Sequence, residues 1–239
     1  MKKAIIVILA AIMALSAVGC GSGKSKSEPS GAGSNVSVGD VIVFGKYEQD
    51  NDPADGDEDI EWIVLAKEGN QALVISKYAL DCKLYHTSKA DVTWETCTLR
   101  EWLNGPFLNA FRAEERNGIL DTAVTADRNP SFPTSPGNDV ADRIFLLSIT
   151  EVNRYFSSDE ARVCVPTDYA KAQGIWRSSI YSESGGATCW WWLRSPGSLS
   201  DHAVLVSGGG AVDIEGRGVY NILGGIRPAL WIDLGSGIF

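Results

Sequence analysis

Three consecutive tryptophans, Trp190-Trp191-Trp192, constrain the fold of this chain more than any other feature. In a β-strand successive side chains point to opposite faces, so Trp191 is set against Trp190 and Trp192. One face of such a strand can be core while the other offers a surface for stacking, and burial is the plain use of most of the three indoles. The run opens a closing segment of short apolar stretches at 190–194, 203–206, 211–214 and 227–232, divided by glycine-rich turns such as Gly208-Gly209-Gly210. That pattern predicts strands.

The beginning of the folded part is also β. Stretches 41–44, 61–65 and 72–75 alternate as strands do, and Glu68-Gly69-Asn70 supplies a turn between the last two. Helical signals fill the middle. Thr98 and Glu101 have the spacing of a capping box, followed by Leu99, Trp102 and Leu103 on one helical face. Gly105-Pro106 interrupts that helix, and Phe107, Ala110 and Phe111 resume its apolar stripe. Ser148 and Glu151 repeat the box after an apolar strand at 144–147, with Val152, Tyr155 and Phe156 facing inward, and a third helix is predicted over 167–173, ended by Gly174. Residues 128–138, rich in Pro, Ser and Asn, read as loop. Strands, then helices, then strands make an α+β fold with a mostly antiparallel sheet and two or three helices.

The first residues have another purpose. Lys2 and Lys3, an apolar run over 4–15 and small residues before Cys20 follow the order of a secretion signal, and the run is shorter than the roughly 20 residues of a spanning helix. The small residues before Cys20 resemble the lipobox of bacterial lipoproteins, with Ala17 where leucine is usual. The resemblance implies a signal at 1–19, a lipid on Cys20 as the link to the membrane, and a chain displayed outside the cytoplasmic membrane. Residues 20–35 are nearly all Gly, Ser, Lys, Pro and Ala, a tether composition, leaving 36–239 as a single domain. The formal net charge is −9, and losing Lys2 and Lys3 makes it more negative still. So acidic a chain lacks the clustered cations that phosphate contacts need, which argues against nucleic acid as a partner.

Beyond Cys20 the chain has Cys82, Cys97, Cys164 and Cys189. An oxidising location allows disulfides, with Cys82 to Cys97 and Cys164 to Cys189 as the short-loop pairing, and four buried thiols as the rival. The spacing gives no zinc site. The acidic stretch 50–59 invites calcium, but Ala54 and Gly56 break the EF-hand register, and a solvated hairpin loop is the simpler reading. Neither a metal nor a cofactor is expected. With two histidines and none of the common catalytic motifs, catalysis has little support.

Five stretches carry a family likeness: Phe44 to Asp50, Glu61 to Leu65, Thr93 to Asn104, Trp191 to Gly197 and Gly225 to Trp231. Together they resemble the bacterial domain of unknown function 6273, which brings no activity with it. The closing Leu193-Arg194-Ser195 strand, the glycine turns and Gly225-Ile226-Arg227 resemble, more remotely, the β part of the C-type-lectin-like fold, as in relatives of the formylglycine-generating enzyme. The calcium and sugar tripeptides of true C-type lectins are absent. Export, the tether, the lectin-like resemblance and the missing catalytic sets together point to a non-catalytic surface module that binds an extracellular glycan or protein through Trp191, Trp192, Arg194, Asp201 and His202. Two alternatives stand beside it: an extracytoplasmic oxidoreductase using Cys164 and Cys189, and a purely structural envelope protein. Arg194 and Arg227 are read as fold-fixing or ligand-binding, with Asp201, Asp213, Asp233 or backbone carbonyls as acceptors.

Overall fold

A computed structural model describes residues 35–181, 186–220 and 224–239. The signal at 1–19, Cys20 and the tether as far as residue 34 lie outside the described residues.

Strand β1 (Val41–Tyr47) pairs antiparallel with β2 (Glu58–Glu68), which turns at Gly69-Asn70 into β3 (Gln71–Ser76). The chain then places β4 (Asp81–Cys82) and passes into the helical middle, α1 (Thr98–Leu103) and α2 (Ala113–Gly118). A small ladder of β5 (Thr122–Val124) and β6 (Val140–Asp142) brackets the loop predicted at 128–138. Three further helices follow, α3 (Ile149–Tyr155), α4 (Asp159–Arg162) and α5 (Asp168–Ala172). The end is β throughout: the pair β7 (Arg177–Tyr181) and β8 (Ala187–Cys189), then β9 (Trp191–Pro196), β10 (His202–Val206), β11 (Val212–Gly218), β12 (Gly225–Ile226) and β13 (Ala229–Asp233).

The fold is α+β with mostly antiparallel sheets, and the described residues form five short helices where two or three were expected. The main strands divide into two sheets. One has the order β1-β2-β3-β13 and the other β11-β10-β9-β12-β4, with β12 parallel to β9. The stretch 227–232, expected as one strand, is broken at Arg227-Pro228, because β12 belongs to the second sheet and β13 returns to pair with β3.

Two local expectations are corrected. Thr98 is the first residue of α1, whose cap position is Cys97 without a side-chain cap, and the reciprocal box there is formed by Thr93 and Thr96 around a single 3-10 turn. The stretch 144–147 is not a strand; it touches the first sheet through one bridge, Phe145 to Ala229. Ser148 does cap α3, accepting the Glu151 amide at 3.2 Å while Glu151 accepts the Ser148 amide at 2.8 Å.

The core of the first sheet is aromatic. Trp62 stacks on Phe44 at 5.1 Å and donates its indole N–H to the Phe44 carbonyl, and Phe111 and Phe239 close around the pair. Beneath the second sheet lie Trp191, Val204, Ile226 and Leu193, all fully buried.

Candidate functional site

Strand alternation fixes the tryptophan run. Trp190, the residue before β9, meets Trp192 edge to face at 4.8 Å, whereas Trp191 packs against Phe156 on the other face. Both faces are covered. Trp191 and Trp192 are wholly buried and Trp190 nearly so, with the Trp191 indole donating to the Arg162 carbonyl and the Trp192 indole to the Lys83 carbonyl. Neither Trp191 nor Trp192 therefore presents a ring to solvent, because the α3–α4 region lies over one face and the segment after β4 over the other.

Arg194 is equally internal, at 4% exposure. Its Nη2 lies 2.9 Å from Glu151 Oε1, its Nη1 contacts the other oxygen of the same carboxylate, and further bonds reach the Leu146 and Thr125 carbonyls. The acceptors are thus Glu151 and backbone, not the aspartates considered from sequence. Glu151 completes the α3 capping box with the same carboxylate, so one side chain ties the helix start to β9.

Asp201 and His202 do come together, on the turn between β9 and β10. The Asp201 carboxylate lies 3.8 Å from His202 Nε2 and 3.6 Å from Lys89 Nζ, and Lys89 in turn sits 5.8 Å from the ring of Tyr220. This cluster stands at the opposite end of β10 from the glycine turn.

At that glycine turn the second sheet opens into a concavity of about 320 Å³. Its walls are Trp176, Trp190, Leu205, Asp213 and Arg217, with Ser178, Ser207, Gly208 and Gly209 along the edge. Sequence reading missed its exposed member: Trp176, 47% accessible, follows the Gly174 that ends α5 and immediately precedes β7. A large aromatic directly after a helix stop was the available signal. Asp213 and Arg217 come from β11, and the Arg217 guanidinium lies over the Trp190 ring at 5.7 Å. Among the described residues Arg217 joins no ion pair. The turn is held by the Ser207 amide on the Ala211 carbonyl and by Thr188 Oγ1 donating to the Gly208 carbonyl at 2.7 Å. Gly210 is required there: its φ is +87° and a Cβ would fall 1.7 Å from the Asp159 carbonyl oxygen.

A larger concavity, about 550 Å³, lies between β1 and α2. Several of its charges are engaged: Lys46 pairs with Asp59 at 2.9 Å, Arg112 with Glu115 at 2.9 Å, and Arg116 Nε donates to the Phe111 carbonyl. In the acidic loop, oxygens of Glu48, Asp50 and Glu58 lie within 4.8 Å of one another, but each also accepts amides of its own loop, at Asn51, Asp52, Gln49 and Asp50. The neighbouring Asp50, then burial and Asp52, hold the Asp55 carboxyl above its ordinary value.

Cys97, Cys164 and Cys189 are free thiols. Cys97 donates toward the Trp94 carbonyl, and its burial pushes the thiol up to about 12, whereas Cys82 lies in β4 beside Gly225 of β12. Cys164 and Cys189 are neighbours, joined by an antiparallel bridge and buried beneath the surface of the molecule. Among the described residues no helix is long and apolar enough to cross a membrane.

The model of a family described as Domain of unknown function (DUF6273) matches residues 69–234. No curated protein and no solved structure matches the chain.

Proposed function

This chain belongs to the DUF6273 family, and on that footing we propose that it is a non-catalytic binding module, held outside the cytoplasmic membrane by a lipid on Cys20, that binds an extracellular glycan in the concavity of Trp176. The carrying observation is the wall of that concavity. An indole half in solvent stands beside a second indole already covered by Arg217, with a carboxylate, two hydroxyls and open backbone around them. Sugar rings offer apolar C–H faces and a girdle of hydroxyls, which is the complement of flat aromatics rimmed by a few polar groups. The remote likeness of the closing strands to the C-type-lectin-like fold points the same way. The reading moves the aromatic contact from Trp191 and Trp192, which are core, to Trp176. A protein ligand at the same concavity is the neighbouring outcome of the test.

Export and anchoring rest on the order of residues 1–20 and on the tether composition. Metabolic labelling with a fatty acid should mark the protein and should be lost in Cys20→Ala. An unlabelled chain with an intact leader recovered from cytosol overturns that half of the proposal.

Binding is tested on arrays of bacterial and host glycans and then by titration. Trp176→Ala is expected to weaken the best hit about tenfold or more, as truncating an aromatic anchor does. Arg217→Ala is expected to weaken it less, and His202→Ala not at all. Equal affinity for wild type and Trp176→Ala removes the concavity as the site, and a hit that is only a protein replaces the glycan.

A further inference from the structure

Several arginines of this chain are spent inside it. Arg100, Arg112, Arg143, Arg162 and Arg194 each hold a carboxylate, and Arg227, 1% exposed, donates to the Ser76 carbonyl. Arg217 is different. It is exposed, its guanidinium enters no ion pair or hydrogen bond among the described residues, and it lies over the Trp190 ring in the wall of the Trp176 concavity. The N–H donors of a group that stays charged are therefore open to a ligand there.

The ladder of β10 and β11 puts this cation in place. Ala203 faces Arg217 and Leu205 faces Asp213, and β11 bulges between those pairs. Gly216 makes the bulge possible: its φ is +74°, and a Cβ would fall 2.4 Å from the Ala203 carbonyl oxygen. The Asp213 carboxylate accepts the Gly216 amide at 3.3 Å and braces the same bend. A bulge re-aims the side chains beside it. Here Asp213 and Arg217 line one concavity with the half-exposed Trp176, and among the described residues no ion pair joins the two.

The chain carries a formal net charge of −9, a body that repels anions at long range. An anionic group is then held only where a free cation meets it, and a guanidinium meets oxyanions with paired N–H···O bonds. Asp213 limits the charge it can take. A phosphate monoester carries close to two charges at neutral pH, so it meets that carboxylate with about twice the repulsion of a singly charged group. Sugar hydroxyls, in contrast, donate to it. We propose that the ligand of the Trp176 concavity is an acidic glycan whose sugar bears one negative charge, as a carboxylate or a sulfate ester. Arg217 binds that charge, Trp176 stacks on the ring and Asp213 accepts its hydroxyls. The proposal rests on the glycan reading above and names its substrate class.

The test titrates the full chain, at one ionic strength, with tetragalacturonate, sialyllactose, sulfated lactose and phosphorylated lactose, and with the carboxyl-reduced, desulfated or dephosphorylated form of each. Wild type is expected to bind a carboxylate or sulfate probe about three- to fivefold more tightly than its neutral form, the range of a partly screened charge pair. Which of the two it prefers tells the sources apart. Arg217→Gln is expected to bind both forms equally, and Arg217→Lys to keep part of the preference, since the charge remains and the fork is lost. Arg217 is exposed, so both variants are expected to fold, which unchanged circular dichroism checks. Acidic and neutral forms bound equally by wild type, with Trp176→Ala weakening both, overturn the acidic class and leave the glycan site standing. A preference that survives Arg217→Gln, a phosphate ester bound more tightly than the sulfate, or no binding of any acidic probe overturns the proposal as well. Affinities untouched by Trp176→Ala remove the concavity itself.

Discussion

At the scale of single residues, the tryptophan run shows what a sequence carries and what it does not. Which face each indole takes was legible, because a strand has a period of two. Whether a face is covered was not, because the Phe156 and Arg162 that cover Trp191 lie about thirty residues away in unrelated local patterns. Arg194 repeats the lesson: its partner Glu151 was visible only as a helix cap. From the geometry, Glu151→Gln leaves Arg194 buried with half its acceptors neutralised. The side chain of Glu151 is 25% exposed, which lets water screen part of the loss. Urea denaturation should show Glu151→Gln less stable by about 2–3 kcal/mol, below the full cost of an isolated buried charge. A change within experimental error would mean that the carbonyls of Leu146 and Thr125, with the Asp127 carboxylate 3.9 Å away, satisfy Arg194 without Glu151.

At the scale of elements, the Ser148–Glu151 spacing pointed to a real cap whereas the same spacing at Thr98–Glu101 did not, because Thr98 lies inside α1. Ser148 and Glu151 marked α3 correctly, and Thr167 caps α5 by accepting the Ala170 amide. Helix α2 went unread because Arg112 stands at its cap, a residue outside the usual set. Glu115 does the work there, accepting the Arg112 amide at 2.8 Å, the Arg112 guanidinium at 2.9 Å and the Gly45 amide at 3.3 Å. Burial pushes the Glu115 carboxyl up, but these bonds prevail and hold it below the ordinary value of 4.5. A folded-state value below the unfolded one stabilises fully above the ordinary glutamate range, and that contribution is lost as pH falls through the lowered value. Stability measured from neutral pH downward should therefore fall through the acid range, and Glu115→Gln should be less stable at neutral pH by about 1–2 kcal/mol while losing less on acidification. Parallel pH profiles for the two proteins would remove Glu115 from the account.

At the scale of the whole molecule, the order of strands, helices and strands was legible and its closure was not. No local pattern says that the last strand leaves the sheet it follows and pairs with the first hairpin; β13 lies beside β3, some 150 residues earlier. The exchange is made by two residues. Ile226 still belongs to β12, Ala229 already belongs to β13, and the Pro228 carbonyl accepts the Ser76 amide while Arg227 holds the Ser76 carbonyl. Ser76 at the end of the first sheet is thus bonded on both sides to the link that leaves the second. Opening either sheet frees that link and exposes the buried guanidinium, so the sheets should not unfold in turn. Indole fluorescence, to which Trp62 and Trp231 of the first sheet and Trp191 and Trp192 of the second contribute, and far-ultraviolet circular dichroism, which sums both sheets, should give one urea midpoint. Pro228→Gly loosens the link without removing a bond, and if the coupling is as described it should lower that single midpoint rather than split it. Two separated midpoints in the wild type would show that the crossing at Arg227-Pro228 joins two independently stable halves.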